Sequence, residues 1–273
     1  MTQPVHYDSA DLQHPVVREL SELARYRDLI AQLVARNIAV RYKRSVLGFG
    51  WSMLSPLLTM AILSLVFTRV FQTTAPRYPV YVFPGLLCWG FFAQTTSIIT
   101  AEVIGGVELW RRVYTPRTAF AVATTLTGLV HLAAAVVPLV ALMLVFGAPL
   151  TPALLVVPLV TSCTALFAFG VGLLVASVAG YFADAADLYQ VVLQAWMYLS
   201  PVIYPRSILP PSFQWLWLLN PMTLVIESFR QPFYEGRAPS IGHLAALAVV
   251  SCATAAAGWW RFTRSANDLT RRA

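Results

Sequence analysis

The chain has 273 residues, of which 58% are hydrophobic and 11% are charged, and its formal net charge is +7. Soluble domains are about 45–50% apolar and about 25% charged, so this composition excludes an ordinary soluble domain and predicts an all-α integral membrane protein. The basic residues lie between apolar runs, as expected for residues that anchor membrane spans, and they form no stripe that favours nucleic-acid binding.

The chain contains a single lysine, Lys43, and no G-x-x-x-x-G-K-[ST] motif. A P-loop needs that lysine to contact the β- and γ-phosphates of a nucleotide. The chain therefore cannot be a P-loop ATPase by itself, and any ATP-driven step requires a second polypeptide. Its three cysteines lie far apart in apolar runs, so we expect neither a disulfide framework nor a zinc site. The sequence shows no convergent set of polar residues, so we also expect no catalytic residues and no cofactor bound by this chain.

Residues 1–50 form a cytoplasmic or interfacial N-terminal region. Within it, residues 12–25 carry Val16, Leu20 and Leu23 on one helical face, which predicts an amphipathic helix in the membrane interface or against a partner protein. Basic residues then crowd the chain at Arg36, Arg41, Lys43 and Arg44. Trp51 follows where the charge ends, and about 20 apolar residues come next. This order predicts a cytoplasmic membrane boundary.

Six apolar runs predict six transmembrane helices, at residues 51–72, 80–104, 118–146, 153–180, 187–204 and 240–262. Together they form a transmembrane domain over residues 51–262, which is followed by a cytoplasmic tail at 263–273. Fourteen of the 19 Lys and Arg residues fall on one side of these spans: seven before the first, three between the second and third, and four at the end of the last or beyond it. The positive-inside rule therefore predicts that both termini are cytoplasmic.

Residues 36–56 read RNIAVRYKRSVLGFGWSMLSP. They match the pattern R-D-I-x-x-R-Y-K-x-[ST]-x-L-G-x-x-W-x-x-x-x-P, except that Asn37 replaces its usual Asp. In these positions the chain resembles the ABC-2 type permease subunits of polysaccharide exporters, which move O-antigen, teichoic acid or actinobacterial galactan. The resemblance implies a multi-pass protein of the bacterial cytoplasmic membrane, acting as a homodimer with a channel at its interface. It also implies two copies of a separate ATPase that binds ATP and Mg, and a polysaccharide linked to undecaprenyl or decaprenyl diphosphate.

The loop between the second and third spans, residues 105–117, reads GGVELWRRVYTPR. The resemblance implies a coupling helix here that docks into the ATPase, and an ordinary basic loop is the alternative. In the next inner loop, Asp184 and Asp187 share one helical face, where they either meet basic groups of the ATPase or form a solvated surface. The candidate coupling residues are Glu108, Trp110, Arg111, Arg112, Tyr114, Pro116, Arg117, Asp184 and Asp187.

Residues 205–236 are apolar but interrupted by five prolines, so each half is too short to cross a membrane. The Asn220-Pro221 pair indicates a turn between two short helices. Segments 200–205 and 219–223 match the family signatures S-P-[IV]-x-[YF]-P and L-N-P-[LM]-T. The resemblance implies re-entrant helices that gate the extracellular side. The candidate gate residues are Trp215, Trp217, Asn220, Glu227 and Arg230, of which Glu227 and Arg230 either form a local ion pair or line a wet portal.

Aromatic and polar residues of the second and fifth spans are candidates for the channel lining, since ring faces can stack on sugars. They are Trp89, Phe92, Gln94, Ser97, Tyr189, Trp196 and Tyr198, and the same residue types also join helices to each other in membranes. The basic residues Arg36, Arg41, Lys43 and Arg44 are candidates for holding the lipid diphosphate at the inner entrance, or for contacting anionic lipid. His131, in the third span, is expected to be a buried histidine with satisfied hydrogen bonds.

Two other functions remain open. An ABC-2 permease for a drug or a small lipid would share the fold, and a secondary transporter would need no ATPase. The predicted spans are nearly without ionisable residues, which argues against the secondary transporter.

Overall fold

A computed structural model describes residues 23–43, 45–69, 77–112, 118–182, 184–205, 212 and 215–272. Within these ranges there is no β-strand, so the prediction of an all-α protein is confirmed. Nine α-helices follow one another there: α1 Arg27–Tyr42, α2 Trp51–Arg69, α3 Tyr78–Arg112, α4 Thr118–Val145, α5 Val157–Ala179, α6 Ala185–Tyr198, α7 Trp215–Leu219, α8 Pro221–Tyr234 and α9 Ile241–Arg272. Short 3-10 helices at Gly48–Gly50 and Pro152–Val156 lead into α2 and α5.

Five helical segments of the described chain are long and apolar enough to cross a membrane: Gly48–Arg69, Tyr78–Val103, Thr118–Val145, Pro152–Ala179 and Ile241–Ser265. They correspond to the predicted spans one to four and six. The predicted fifth span, residues 187–204, overlaps α6, which has only 14 residues. At 1.5 Å per residue this helix is about 21 Å long. It ends early because Pro201 has no N–H to donate and disfavours helical geometry at Ser200, so helix length alone does not confirm six spans.

Two helices run further than the sequence predicts. Helix α3 continues through Gly105 and Gly106 to Arg112, where the sequence predicts a loop. A helical glycine costs about 1 kcal/mol relative to alanine, which does not end a helix when good helix formers follow it. Helix α9 likewise continues to Arg272, through most of the predicted tail at 263–273. The first part of the predicted amphipathic helix, residues 12–22, lies outside the described residues.

Helix α3 is the centre of the fold. It packs against α2, α4, α5 and α8, and it is the most buried of the five apolar segments. Phe83, Phe92 and Ile99 along its length are fully buried. Because lipid is as apolar as these side chains, close packing rather than exclusion from water stabilises such contacts in a membrane.

Helices α5 and α9 touch through their backbones. A Cβ atom added to Gly258 would lie 2.2 Å from the carbonyl oxygen of Gly170, and one added to Gly170 would lie 2.5 Å from the backbone of Thr254. Glycines at a crossing allow this approach, and packing at such short range is a main source of helix association in membranes. The crossing holds α9 directly against α5.

Hydrogen bonds between loops bring several chain segments to one end of the helices. Arg77 donates from Nη1 to the carbonyl oxygen of Gly147 over 2.7 Å. The hydroxyl of Tyr78 donates to the carbonyl oxygen of Ile203, also over 2.7 Å. The beginning of α3, the end of α4 and the turn after α6 therefore meet at the same end, which the predicted topology assigns to the extracellular side.

Candidate functional site

A cavity of about 550 Å³ lies between α1, α3 and α4. Its lining residues come from these three helices: Arg36, Asn37, Val40, Arg41, Gln94, Thr95, Ile98, Glu102, Thr124, Thr127, Gly128 and His131. A second cavity of about 240 Å³ shares Arg41, Gln94, Gly128 and His131 with the first and extends toward Trp51 and Ser55 of α2. The two cavities are therefore adjacent, and we name them together the α1–α4 groove.

Helix α1 is positioned by its first turns. Ile30 and Leu33 are buried against Ala119 and Ala123 at the start of α4, whose small side chains let the two helices approach closely. The later turns of α1 carry Arg36 and Arg41, and both residues are exposed while lining the groove. The apolar contact of the first turns thus places two cations at the rim of the groove.

Three rings connect the end of α1 to α4. The ring of Tyr42 lies 5.4 Å from that of Phe49 and 5.7 Å from that of His131, and the rings of Phe49 and His131 are 5.8 Å apart. Gly48 directly before Phe49 has φ 51°, which is a conformation that favours glycine. The R-Y-K…L-G lead-in thus contributes an aromatic residue and the turn that brings the chain from α1 to α2.

Polar groups line the interior of the groove as well as its rim. The hydroxyl of Thr124 donates a short hydrogen bond to the carboxylate of Glu102, which joins α4 to α3. His131 is 8% exposed, and no group in the described residues makes a hydrogen bond to its Nε2. The expectation of a satisfied histidine was therefore wrong at Nε2, because no donor or acceptor of the described residues lies within hydrogen-bond distance of that atom. Sequence reasoning also missed Glu102, although no other acidic or basic residue lies within the predicted second span.

The groove combines members of two predicted residue sets. Arg36 and Arg41, predicted for the inner entrance, lie on the same cavity as Gln94, predicted for the channel lining. Lys43, another entrance candidate, is exposed just beyond the end of α1. Arg44 lies outside the described residues.

The aromatic candidates for the channel lining are largely packed between helices. Phe92 is fully buried, stacked on Phe167 at 5.4 Å and in edge contact with Trp196 at 5.3 Å. Trp89 is also buried, 6.3 Å from the ring of Trp196. Tyr189 is buried as well. These side chains join α5 and α6 to α3, and a lining role for them stays a prediction.

The polar lining candidates lie nearer the surface. Gln94 is exposed on α3, and Ser97 one turn later accepts a hydrogen bond of 2.9 Å from Nε2 of Gln190 on α6. Tyr198, at the end of α6, is 60% exposed. An exposed polar stripe of α3 therefore lies beside α6.

The candidate gate segment contains the two short helices that the sequence predicts, α7 and α8, joined at Asn220. The side chain of Asn220 accepts hydrogen bonds from Nε1 of Trp196 at 2.8 Å and from the backbone N–H of Met222 at 3.0 Å. Its Nδ2 donates to the carbonyl oxygen of Leu199 at 3.1 Å and to the hydroxyl of Ser200 at 2.9 Å. One residue thus caps α8 and connects it to the end of α6.

The other gate candidates occupy different environments. Trp215 is 54% exposed, whereas Trp217 is buried near the ring of Tyr204. Arg230 is 5% exposed; its Nη2 donates to the carbonyl oxygens of Pro201 and Val202 at 2.6 and 3.0 Å. Glu227 and Arg230 line one cavity of about 290 Å³. The principal contacts of Arg230 thus reach the turn after α6, beyond its own helix.

The candidate coupling residues fall into two groups. Asp184 and Asp187 are exposed at the beginning of α6, where the helix dipole favours negative charge. Glu108, Trp110, Arg111 and Arg112 belong to the last turns of α3. Tyr114, Pro116 and Arg117 lie outside the described residues.

Comparison with known proteins assigns the chain to a family. Residues 28–234 match the family described as ABC-2 type transporter. The chain is 31% identical over 238 residues to the O-antigen export system permease protein RfbA of Myxococcus xanthus, covering 86% of this chain and 92% of the relative. A Klebsiella pneumoniae protein of the same name is 27% identical over 212 residues, covering 77% and 81%. The polysialic acid transport protein KpsM of Escherichia coli is 25% identical over 234 residues, covering 81% and 88%. The chain is thus a multi-pass membrane protein that belongs to the ABC-2 type transporter family.

Proposed function

We propose that the chain is the membrane-spanning subunit of an ABC exporter that moves a lipid-linked polysaccharide across the bacterial inner membrane. The observation that carries this proposal is the similarity to RfbA and KpsM, which extends over 92% and 88% of those two proteins. Both are named for the transport of a polysaccharide. The chain's role is transport without a catalytic site of its own.

The ATP-driven step belongs to a separate nucleotide-binding subunit, present in two copies, since the chain has no P-loop motif. The length of α3 supports contact between its C-terminal end and this ATPase subunit. It continues from Val103, where the apolar segment ends, to Arg112. Those nine residues extend about 13 Å at 1.5 Å per residue. We expect them to contact the ATPase together with Tyr114, Pro116, Arg117 and the beginning of α6 at Asp184 and Asp187.

Six crossings, with both termini cytoplasmic, are supported by the path of α6 along α3. Near its beginning, the hydroxyl of Tyr189 donates to Oγ1 of Thr96 over 2.8 Å. After its end, Ile203 accepts from Tyr78. Thr96 and Tyr78 are 18 positions apart on α3, or about 27 Å. The hydrocarbon core of a bilayer is about 30 Å thick, so α6 and the turn after it complete nearly a full crossing.

A homodimer with a channel between its subunits is supported by the exposed faces of α2 and α6. Met60 is the only residue of α2 that is fully packed inside the described chain. On α6, Leu188 and Val191 are 64% and 63% exposed. Both helices contact α3 and flank its exposed residue Gln94 and its half-buried residue Ser97. A second copy facing these helices would enclose that polar stripe.

The basic rim of the α1–α4 groove is proposed to receive the diphosphate of the lipid carrier, undecaprenyl or decaprenyl diphosphate. Arg36 and Arg41 both line the groove and are exposed. Arginine forms charge-assisted and often bidentate hydrogen bonds to phosphate oxygens, so two such residues suit a diphosphate.

The test is depletion of the protein in its host, followed by measurement of lipid-linked glycans on each side of the inner membrane. We expect one polymer to accumulate on the cytoplasmic side. Wild-type chain should restore export, whereas a chain with Arg36→Gln and Arg41→Gln should restore little. Arg25→Gln, at an exposed basic position before α1, is the matched control and should restore export fully. If every glycan reaches the surface while sensitivity to a small toxic compound rises, the polysaccharide proposal is wrong and a drug or small-lipid permease replaces it.

A further inference from the structure

The α1–α4 groove contains a group that a diphosphate site does not require. Glu102 lies on the same cavity as Arg36 and Arg41. A carboxylate repels phosphate oxygens, so a groove that served only the diphosphate would be better without it. A charged residue within an apolar span is also costly, and such residues are usually functional.

The groups around Glu102 suit neutral hydroxyl ligands. A carboxylate accepts hydrogen bonds at two oxygens, and the Thr124 hydroxyl donates to one of them. Nε2 of His131, within the part of the chain that the structure describes, has no hydrogen-bond partner although the residue is 92% buried on the groove. An unpartnered buried nitrogen is unfavourable unless a ligand or water bonds to it. Gln94, which lines both cavities, adds an amide with donors and an acceptor.

The groove is also large enough for a sugar. Its larger cavity is about 550 Å³, and small-molecule sites in proteins are about 300–1,000 Å³. The cations lie on α1 at the rim, whereas Glu102 and His131 lie on α3 and α4. This order matches a ligand that carries an anionic diphosphate joined to a ring bearing hydroxyl groups.

We infer that the α1–α4 groove binds the first sugar of the lipid-linked chain, with Glu102, His131 and Gln94 bonding its hydroxyl groups while Arg36 and Arg41 hold the diphosphate. This inference rests on the proposed function and adds a site that discriminates between first sugars. Because Glu102 would repel a second carboxylate, the groove selects a neutral first sugar over an acidic one.

The experiment measures binding to the full chain in lipid nanodiscs. Three probes are used: a polyprenyl diphosphate without sugar, the same lipid carrying one glucose, and the same lipid carrying one glucuronic acid. We expect the wild-type chain to bind the glucosyl lipid roughly tenfold more tightly than either of the others, which is the effect of one well-made hydrogen bond to a charged group. Glu102→Gln should remove most of the preference for glucose over glucuronic acid. His131→Phe, which keeps a ring against Tyr42 and Phe49, should weaken only the two glycosylated lipids.

The controls separate this inference from the proposed function. Glu235→Gln, at an exposed carboxylate outside the groove, should leave all three affinities unchanged. Arg36→Gln with Arg41→Gln should weaken all three probes by a similar factor, and if it weakens none, the diphosphate site of the proposed function is wrong. If that double variant behaves as expected but the wild-type chain shows no preference among the probes, or Glu102→Gln retains the preference, the sugar inference is overturned while the proposed function stands. Should Glu102→Gln fail to fold, Gln94→Ala at an exposed position tests the sugar site instead. It should reduce the preference for the glucosyl lipid over the sugar-free lipid, and an unchanged preference would overturn the inference.

Discussion

Arg230 contacts Tyr81 in two ways at once. Its Nη1 donates a hydrogen bond of 2.8 Å to the hydroxyl of Tyr81, and its guanidinium carbon lies 4.0 Å from the centroid of the same ring. With the two bonds from Nη2 to the carbonyl oxygens of Pro201 and Val202, the side chain joins α8, α3 and the turn after α6. Gly85 leaves room for the guanidinium group of Arg230, because a Cβ atom at position 85 would lie 2.6 Å from Nη2.

Replacing Arg230 should therefore destabilise the protein strongly. Arg230→Ala leaves two carbonyl groups without their donor, and each buried unsatisfied group costs about 1–3 kcal/mol. Arg230→Lys should be intermediate, since an ammonium group cannot reproduce the planar donor geometry. Thermal unfolding in nanodiscs measures the effect, with Arg237→Ala at an exposed position as control. Equal melting temperatures for Arg230→Ala and Arg237→Ala would contradict the prediction.

The α5–α9 crossing predicts a large difference between two glycines of the same helix. Gly258→Ala places a methyl group 2.2 Å from the Gly170 carbonyl oxygen and forces the helices apart, whereas Gly242 has no atom within 4 Å of an added Cβ. Overpacking of this kind costs about 1–3 kcal/mol. We expect Gly258→Ala to lower the melting temperature and Gly242→Ala to leave it unchanged or raised. Similar melting temperatures for the two variants would mean that the backbones do not touch.

Asn220 and Ser200 should be energetically coupled. Asn220→Ala removes the cap of α8 and the bonds to Trp196, Leu199 and Ser200. Loss of a cap alone costs about 1 kcal/mol. Ser200→Ala should cost less, and the double variant should cost less than the sum of the two. Unfolding of the four proteins gives the coupling free energy, about 0.5–3 kcal/mol for contacting residues. Strict additivity would show that the 2.9 Å bond contributes nothing.

The proposed topology predicts opposite accessibility at two positions. In a chain without its three cysteines, Arg237→Cys should react with a membrane-impermeant thiol reagent added outside, and Lys43→Cys should react only after the membrane is opened. Both positions are exposed, so burial does not prevent labelling. Labelling of the two from the same side would contradict the topology, because it would mean that the chain crosses the membrane an even number of times between them.

The sequence located five of the six predicted spans well because their apolar runs are long and their ends are marked by charge or turns. The fifth span stays a prediction, because Pro201 ends α6 early. The continuation of α3 through Gly105 was missed, because good helix formers follow the two glycines and outweigh them. The sequence could not predict which side chains form hydrogen bonds with each other. Tyr81 lies 149 positions before Arg230, so no local pattern connects them. The basic residues at the rim of the groove could be predicted, because they form a cluster in the sequence. The presence of Glu102 and His131 on the same cavity could not, because it depends on how α3 and α4 pack.

The contact between Gly170 and Gly258 also affects how motion can pass between helices. Helices α5 and α9 meet without intervening side chains, so a force applied near the C-terminal end of α9 is passed to α5 with little slack, and from there to α3. Helix α2 has one buried residue, so contacts within this chain hold it less firmly. In a working exporter, we would therefore expect α5 and α9 to move together as one rigid unit.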